Sequence, residues 1–272
     1  MDLAPRRLHP ALMSVQESTT AFGAALRQFR GARRMSQLDL AMACEVSSRH
    51  LSFLESGRAQ PSRDMVLALA EGLLLPLNAR NALLQAAGFA PVFPASPLDS
   101  EVLRPFRVIL DEMIARHAPN PALLVDRHWT VLEANATART LLAALGGGGD
   151  EMNLIRMLTR GDAAPVIIAN FPEVLAELRA RLQVEALDAG GDALFAELLA
   201  DLEKACARIP MAAPTNTRRP LLPFVMNTPA GQLRFLSAIA HFGTSEDVTI
   251  RDLRLELLFP ADDATRAAVA AL

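Results

Sequence analysis

The sequence predicts an α+β protein, in which an all-α domain of five short helices is followed by an antiparallel five-stranded sheet flanked by helices. Three observations carry this prediction. Apolar residues recur at helical spacing from residue 20 to residue 87. Three prolines interrupt the segment 90–100, and short runs typical of strands come only after it. A length of 272 residues also favours two domains over one.

Charge is unevenly distributed along the chain. Residues 1–90 hold ten Arg and seven Asp or Glu, a net charge of +3, whereas residues 91–272 hold 17 Lys or Arg and 23 Asp or Glu, a net charge of −6. The N-terminal part is therefore the one suited to a polyanion. Cys44 and Cys206 lie far apart and match neither a disulfide framework nor a metal-ligand spacing.

We expect a cytoplasmic protein that neither is exported nor enters a membrane. Two free thiols suit a reducing compartment. The N-terminal stretch MDLAPRRLHPALMSV lacks the apolar core of a signal peptide, and no apolar run approaches the ~18 residues of a membrane span.

The first two helices are predicted from apolar spacing and a capping residue. Phe22, Leu26 and Phe29 form an apolar stripe that ends near Arg34. Ser36 is placed to cap the second helix, SQLDLAMAC. The apolar residues expected to share one face of that helix are Leu38, Ala41 and Met42.

Three further helices complete the first domain. Ser47 is placed to cap the third helix and Gly57 to end it. Pro61-Ser62 opens the fourth helix, and Gly88 closes the fifth. The predicted boundaries are a flexible N-terminal segment at 1–19, the helical domain at 20–90, a linker at 91–104 and the second domain at 105–272.

The second domain mixes strands and helices. Strands are predicted at ALLVD and WTVLEAN and, near the end of the chain, at LPFVMN, QLRFLSAIAHF and DLRLELLF. Helices are predicted at 136–145, 171–187 and 192–208, with a flexible turn at 146–149. Thr228 to Gly231 should turn a hairpin. Alternation from Arg251 to Leu257 predicts one buried face and one wet face.

Within the first domain, the second and third helices have the spacing of a helix-turn-helix, whose second helix lies in the DNA major groove. Ala41 is small enough for the two helices to cross closely. Val46 and Leu51 fill the space between them, and Leu54 anchors the second of the pair. The residues left facing outward are Ser48, Arg49 and Ser52.

Through SQLDLAMACEVSSRHLSFLESGRAQPS the chain resembles the Xre-type helix-turn-helix transcription regulators. The longer string SRHLSFLESGRAQPSRDMVLALAEGLLLPLNARNALLQAAGFAPVF is similar to the MmyB-like regulators. The tail LRFLSAIAHFGTSEDVTIRDLRLELLFPAD resembles their C-terminal ligand-binding domain. Together these segments span most of residues 20–263.

The resemblance implies which residues face double-stranded operator DNA. They are Gln37, which opens the first motif helix, and Ser48, Arg49 and Ser52 in the second. Arg49 is the expected base-recognising residue, because a guanidinium can donate two hydrogen bonds to guanine. Gln37 and Ser48 are placed for phosphate contacts at helix N-termini. Arg34, Arg58 and Arg63 suit the sugar-phosphate backbone.

Three neighbouring residues have structural interpretations. His50 is flanked by core residues, and Glu55 is placed to pair with Arg58 or Arg63, so both are expected to brace the helix. Glu45 occupies the turn position that usually holds glycine in this family. It must therefore accept a positive φ or alter the turn, at a cost of about 1 kcal/mol.

The resemblance also implies that the second domain is PAS-like and binds an apolar small molecule, a fatty acid or a similar lipid-like compound. No other cofactor and no metal are expected. The proposed pocket walls are Trp129, Leu132, Phe224, Met226, Phe235 and Ile239, although an apolar residue of this kind is more often a plain core position than a ligand contact. Asn135, Arg156 or Asn170 would hold a carboxylate, although Asn135 can instead cap the helix that starts at Ala136.

An enzyme is not expected. His241, Ser245 and Asp247 are the residue types of a nucleophilic triad, but a triad is defined by geometry rather than by order in the chain. The sequence has no G-x-S-x-G motif and no phosphate-binding glycine loop.

The sequence therefore predicts a homodimeric transcription regulator with a ligand-sensing domain. A single short helix contacts too few bases for strong specificity, which favours two DNA-binding heads. The alternative is a DNA-binding protein whose second domain serves only for dimerisation or protein docking. An enzyme fused to a DNA-binding head is the third possibility.

Overall fold

A computed structural model describes residues 10–147, 152–189, 192–209, 222–229, 231–243 and 245–271. The chain contacts divide it into two compact units. The first runs to Pro94 and the second starts at Ala95, with the segment Glu185–Asp192 grouped with the first. The predicted linker 91–104 brackets this division, although its exact bounds remain a prediction.

The first unit is all-α, as predicted. Its helices within the described residues are α1 (Pro10–Ala32), α2 (Gln37–Ala43), α3 (Ser48–Glu55), α4 (Arg63–Gly72) and α5 (Leu77–Ala86). Helix α1 begins inside the segment predicted to be flexible, with a proline at its first position, where a missing N–H costs nothing. Residues 1–9 lie outside the described residues.

Serine caps start three of these helices as the sequence predicts. The Ser47 hydroxyl accepts a hydrogen bond from the backbone N–H of His50, and Ser62 accepts one from Met65. Ser36 forms a reciprocal capping box with Asp39. Gly57 and Gly88 follow α3 and α5 with positive φ angles of 71° and 83°. The bounds of these short helices are therefore set by residues at their own ends.

The buried side of α2 differs from the prediction. Leu40 and Ala41 are buried, whereas Leu38 is 58% exposed and Met42 is 71% exposed. The close packing of α4 against α2 decides this, because Gly72 lies against Cys44 and Leu40 with no room for a side chain. Leu40 rather than Leu38 therefore joins the core of the first unit.

The second unit contains a five-stranded antiparallel sheet and helices on both of its faces. The strands are β1 (Ala122–Val125), β2 (Val131–Ala134), β3 (Phe224–Thr228), β4 (Gly231–His241) and β5 (Arg254–Pro260), in the order β2-β1-β5-β4-β3. The helices are α6 (Arg104–Arg116), α7 (Ala136–Ala144), α8 (Leu154–Arg160), α9 (Ala164–Ile167), α10 (Phe171–Ala189), α11 (Ala193–Arg208), α12 (Val248–Asp252) and α13 (Asp263–Ala270).

Pairing across the strands assigns side chains to two faces of this sheet. Cross-strand partners share a face, and neighbours along a strand alternate. The face that packs against α7 and α8 is named the inner face. Its members include Leu123, Val125, Ala134, Phe224, Met226, Leu233, Phe235, Ser237, Ile239, Arg254 and Glu256. The opposite face packs Ala122, Leu124 and Leu255 against Leu110 and Ile114 of α6.

Some predicted features have changed bounds or lie outside the described residues. The predicted strands are all present, but α6, α8, α9, α12 and α13 were not predicted. Thr228 pairs with Gly231 across the β3–β4 hairpin, and Ala230 lies outside the described residues. So does part of the turn predicted at 146–149. Among the described helices, none is long and apolar enough to span a bilayer.

The contact between α1 and α3 depends on a glycine. A Cβ atom at Gly23 would lie 2.6 Å from the backbone oxygen of Glu55 and 2.7 Å from that of Leu54. Gly31, on the same helix, has no heavy atom within 4 Å of the equivalent position.

We predict that Gly23→Ala destabilises the first unit by about 2 kcal/mol, because the two helices must move apart. Gly31→Ala should stabilise it by about 0.5 kcal/mol through helix propensity. Chemical denaturation followed by far-ultraviolet circular dichroism measures both. The protein's one tryptophan, Trp129, reports separately on the second unit, and its transition should not move. Equal effects of the two substitutions would contradict the assigned contact.

Candidate functional site

Helix α3 is held so that one side is buried and the other is open. Leu51 and Leu54 are fully buried, while Ser48 and Arg49 are exposed and Ser52 is half-buried. The turn before the helix contains Glu45 at a φ of 55°, so of the two expected outcomes Glu45 accepts a positive φ. Ser48, Arg49 and Ser52 therefore share the outward side of α3, as predicted.

The Arg49 side chain lies along its own helix. Its guanidinium carbon is 5.4 Å from the centre of the Phe53 ring, one turn further on. A cation–π contact at an exposed site contributes about 0.5–1 kcal/mol and limits the number of side-chain conformers. Arg58 and Arg63, both exposed, follow α3, and Arg34 is exposed in the turn before α2 with a φ of 54°. In the sequence, these arginines lie before and after the α2–α3 pair.

The last residue of α3, Glu55, is a buried carboxylate surrounded by donors. Its side chain is 1% exposed. Arg30 donates through Nε to Oε1 at 2.6 Å and through Nη2 to Oε2 at 3.0 Å. Gln37 donates through Nε2 to Oε2 at 2.7 Å, and Arg27 lies 3.8 Å away. One carboxylate therefore joins α1, the start of α2 and the end of α3.

These donors decide the ionisation of Glu55. Burial by itself would raise the pKa of Glu55, but the hydrogen bonds from Arg30 and Gln37 and the charges of Arg30 and Arg27 outweigh it. The pKa of Glu55 is therefore lowered below its ordinary value. The carboxylate is charged at neutral pH.

This arrangement corrects one prediction and qualifies another. Glu55 pairs with Arg30 and Arg27 of α1, not with Arg58 or Arg63. Its bracing role is as expected. The Gln37 amide already donates to Glu55, so any DNA contact by Gln37 uses its remaining groups. His50 is half-buried.

In the second unit, Trp129 has an unusual setting. The residue is 3% exposed and has a φ of 66°, which is rare for a large side chain. The guanidinium carbon of Arg181 lies 4.5 Å from its ring centre, and that of Arg254 lies 5.5 Å away. Two cations from different elements, α10 and β5, thus contact one indole. Backbone strain of this kind clusters at functional positions.

Next to Arg254 on the inner face, Glu256 is placed among charged residues. Ser237 of β4 donates its hydroxyl to Oε1 of Glu256 at 2.7 Å. Burial raises the pKa of Glu256, while the Ser237 hydrogen bond and the charges of Arg181 and Arg254 lower it and Glu177 raises it. Burial dominates, and the pKa of Glu256 is raised.

The prediction of a wet face at the end of the chain is therefore wrong. Arg254 and Glu256 are half-buried on the inner face, where the charge of Arg181 from α10 acts on Glu256 and both arginines contact Trp129. Arg251 and Asp252 belong to α12 rather than to β5. Alternation in the sequence shows that two faces differ but not what covers the polar one. The roles of Arg181, Ser237 and Glu256 were consequently not predicted from the sequence.

The three predicted carboxylate-binding residues are in different settings. Asn135 caps α7, since its Oδ1 accepts from the N–H groups of Ala138 and Ala122, and its Nδ2 donates to the backbone oxygen of Asn120. Asn170 binds backbone groups of Pro223 and Val225. Both amides thus have structural partners.

Arg156 differs from these two asparagines. Its Nη2 is 3.2 Å from Oε2 of Glu197, but its buried Nε has no hydrogen-bond partner among the described residues. An unsatisfied buried donor costs about 1–3 kcal/mol. The N-terminus of α8, which carries Arg156, is attached to the Trp129 segment by the hydrogen bond from Leu154 N–H to the Trp129 oxygen. Arg156 and Trp129 therefore lie on adjoining segments.

Most of the apolar residues predicted as pocket walls share the inner face. Phe224 pairs with Phe235, and Met226 lies on the same side of β3. Ile239 pairs with Glu256. Trp129 precedes β2 and lies outside the strands, and Leu132 sits at an irregularity between β1 and β2 and is 46% exposed. This position gives no support to the assignment of Leu132 to the pocket wall, which stays a prediction.

The residues of the conceivable nucleophilic triad have other roles. Asp247 caps α12, accepting hydrogen bonds from Thr249 and Ile250 through Oδ1 and from Ser96 N–H through Oδ2. The Ser245 hydroxyl accepts from the Asp247 N–H. His241 is exposed at the end of β4. The carboxylate that would orient a catalytic imidazole is thus occupied by backbone groups.

The structure thus combines a helix-turn-helix unit with an antiparallel-sheet domain that holds charged side chains on its inner face. Comparisons with known proteins assign this combination to a class of two-domain regulators. Residues 21–83 match a helix-turn-helix domain family. Residues 106–272, more than half of the chain, match the MmyB-like transcription regulator ligand binding domain. The chain therefore belongs to the MmyB-like transcription regulator family.

Curated relatives are HTH-type transcriptional regulators of mycobacteria. One from Mycobacterium bovis and two from strains of Mycobacterium tuberculosis are each 36% identical to this chain over 131 residues. The match covers 45% of this chain and 44% of each relative. Less than half of the relatives' length is thus spanned.

The raised pKa of Glu256 predicts how stability depends on pH. The native state retains a proton that the unfolded chain releases near pH 4.3. The second unit should therefore lose stability as the pH rises from that value through the native pKa. Glu256→Gln should remove this loss and stabilise the unit at neutral pH.

Denaturation followed by Trp129 fluorescence at a series of pH values measures this effect. Glu246→Gln, at an exposed position, is the matched control and should follow the unmodified protein. A Glu256→Gln protein with the same pH dependence as the unmodified protein would refute the assignment.

Proposed function

We propose that the protein is a sequence-specific DNA-binding transcription regulator whose second domain binds an apolar small molecule. The observation that carries the DNA part is the outward side of α3. Ser48, Arg49 and Ser52 are presented together while the buried Glu55 fixes the far end of the helix. Family membership supports the same conclusion.

The proposed contacts fall into two groups. Arg49 recognises a base through its guanidinium, and Ser52 lies one turn further along the same side. Ser48 and Gln37 start α3 and α2, where free backbone N–H groups favour phosphate. Arg58 and Arg34 neutralise the DNA backbone. Contacts of this second group position the protein without distinguishing sequences.

For the second domain we propose a PAS-like ligand site on the inner face. Phe224, Phe235 and Trp129 supply apolar contact area for an acyl chain. The buried, unpartnered Nε of Arg156 supports an acceptor such as the carboxylate of a fatty acid. This ligand chemistry agrees with the sequence prediction. Asn135 and Asn170 contribute by fixing the backbone around that face.

We further propose that the protein acts in the cytoplasm as a homodimer without catalysing a reaction. One short helix recognises few base pairs, so two copies are needed for a specific operator. Ligand binding would then change operator affinity through the placement of the two helix-turn-helix domains. The alternative, a second domain used only for dimerisation or docking, predicts no ligand and no such coupling.

The division of roles between Arg49 and Arg58 is testable. Arg49→Ala should cost about 1–3 kcal/mol on the preferred sequence and little on random DNA, because base contacts carry specificity. Arg58→Ala should weaken binding to both and lower the slope of log affinity against log salt by about one.

Duplexes selected from a random library by the unmodified protein provide the probe, and fluorescence anisotropy provides the affinities. Arg80→Ala, on α5, is the matched control. Arg80 lies outside the helix-turn-helix pair and its Nε donates to the backbone oxygen of Leu75, so its replacement should leave both DNA affinities unchanged. If Arg49→Ala and Arg58→Ala weakened both kinds of DNA equally, the proposed roles would be wrong.

The ligand assignment predicts that fatty acid binding depends on Arg156. Arg156→Ala should weaken binding about tenfold, equivalent to one lost charge-assisted hydrogen bond. Arg160→Ala, on the same helix, should leave affinity unchanged, since Arg160 is exposed and pairs with Asp201 at 2.6 Å.

Calorimetric titration with a series from lauric to stearic acid measures these affinities, and native mass spectrometry of the purified protein detects ligand retained from the cell. No binding of any member of the series by the intact protein would favour the docking alternative.

A further inference from the structure

Helix α6 exposes apolar side chains that the fold of the second unit does not use. Leu110 and Ile114 are buried against the sheet. On the opposite side Val108 is 59% exposed and Ile109 is 54% exposed, and Val102 in the preceding turn is 78% exposed. Burial of such side chains against another surface contributes about 25 cal/mol per Å².

On the exposed side of α6, the apolar residue Val108 is flanked by one positively charged and one negatively charged residue. Arg104, Val108 and Glu112 are spaced one helical turn apart and therefore share one face. Val108 lies midway between the cation and the anion. A helix with this pattern is complementary to a second copy of itself running in the opposite direction.

The symmetry of such a contact follows from the spacing. If a two-fold axis passes beside Val108, the two Val108 side chains meet at the centre. Arg104 of each copy then faces Glu112 of the other copy. A parallel arrangement would instead place like charges opposite each other.

We propose that the exposed side of α6 is the surface on which a second copy of this chain docks, with the two α6 helices antiparallel. The proposal rests on the homodimer in the proposed function and names the surface that forms it.

Existing ion pairs do not oppose this contact. In the single chain Arg104 Nε lies 3.4 Å from Glu101, and Arg116 Nη2 lies 2.6 Å from Glu112. The four side chains are at least 55% exposed. Exposed pairs of this kind contribute little, so exchanging them for contacts across the interface is inexpensive.

A single helix pair buries less area than a standard interface. In the absence of DNA, two copies should therefore associate with moderate affinity, with a dissociation constant of about 10 µM. Sedimentation equilibrium of the intact protein over a concentration series measures it. Val108→Glu should raise the dissociation constant at least about tenfold, because it buries two like charges at the centre. Val166→Glu is the matched control, since Val166 is 74% exposed on α9, and it should leave the constant unchanged.

Charge reversal provides a test that misfolding cannot imitate. Arg104→Glu places two glutamates opposite each other at both ends of the contact and should also weaken the dimer about tenfold. The double variant Arg104→Glu with Glu112→Arg restores opposite charges across the interface and should recover the dimer to within about threefold. It does not restore the pairs within each helix, so recovery identifies the contact between copies.

The outcomes separate this inference from the proposed function. If Val108→Glu leaves dimerisation unchanged, or if the double variant is no better than Arg104→Glu, the α6 surface is wrong while DNA and ligand binding stand. If the unmodified protein stays monomeric both free and on its operator, the surface and the homodimer are both wrong. If the unmodified protein forms the dimer but binds no operator, the proposed DNA-binding function is wrong instead.

Discussion

The first unit depends on a single buried carboxylate. Glu55 ends α3, and it is bound by Arg30 from α1 and Gln37 from the start of α2. Arg27 adds a hydrogen bond from Nη2 to the backbone oxygen of Glu55 at 2.8 Å. Because Gly23 has no side chain, α1 can approach the backbone oxygens of Leu54 and Glu55 closely. Three helices therefore meet at one residue, and the orientation of α3 follows from it.

In the second unit, the pKa of a buried carboxylate is shifted in the opposite direction. At Glu55, donors and cations outweigh burial and the pKa is lowered. At Glu256, burial outweighs one hydroxyl and two cations, so the pKa is raised. The first residue acts as a permanent anion that holds helices together. The second is a carboxyl group with a raised pKa on the inner face, and it shares Arg181 and Arg254 with the Trp129 ring.

Local features of the fold follow from the sequence because their causes lie within a few residues. The serine caps at Ser36, Ser47 and Ser62 and the positive φ at Glu45 need only nearby backbone groups. The strands follow from alternation and turn residues. Their pairing into one antiparallel sheet agrees with the predicted fold class.

Other features depend on residues distant in the chain, which a local pattern does not contain. Arg30 reaches Glu55 across 25 positions, so Arg58 and Arg63 were the partners that proximity suggested. The buried side of α2 is set by α4, and Arg181 from the distant helix α10 acts on Glu256 of β5. Short helices such as α9 and α12 have too few residues for an apolar period. Whether Arg49 touches DNA and which ligand binds remain predictions.

A double-mutant cycle between Arg30 and Glu55 shows most directly whether Glu55 positions the DNA-binding helix. Free energies of unfolding and operator affinities are measured for Arg30→Ala, Glu55→Ala and the double variant. We predict a coupling energy of about 2 kcal/mol in stability and a parallel loss of operator affinity, because the same contact orients α3. Additive effects on stability, or operator affinity unaffected by either substitution, would contradict the claim that Glu55 positions the DNA-binding helix.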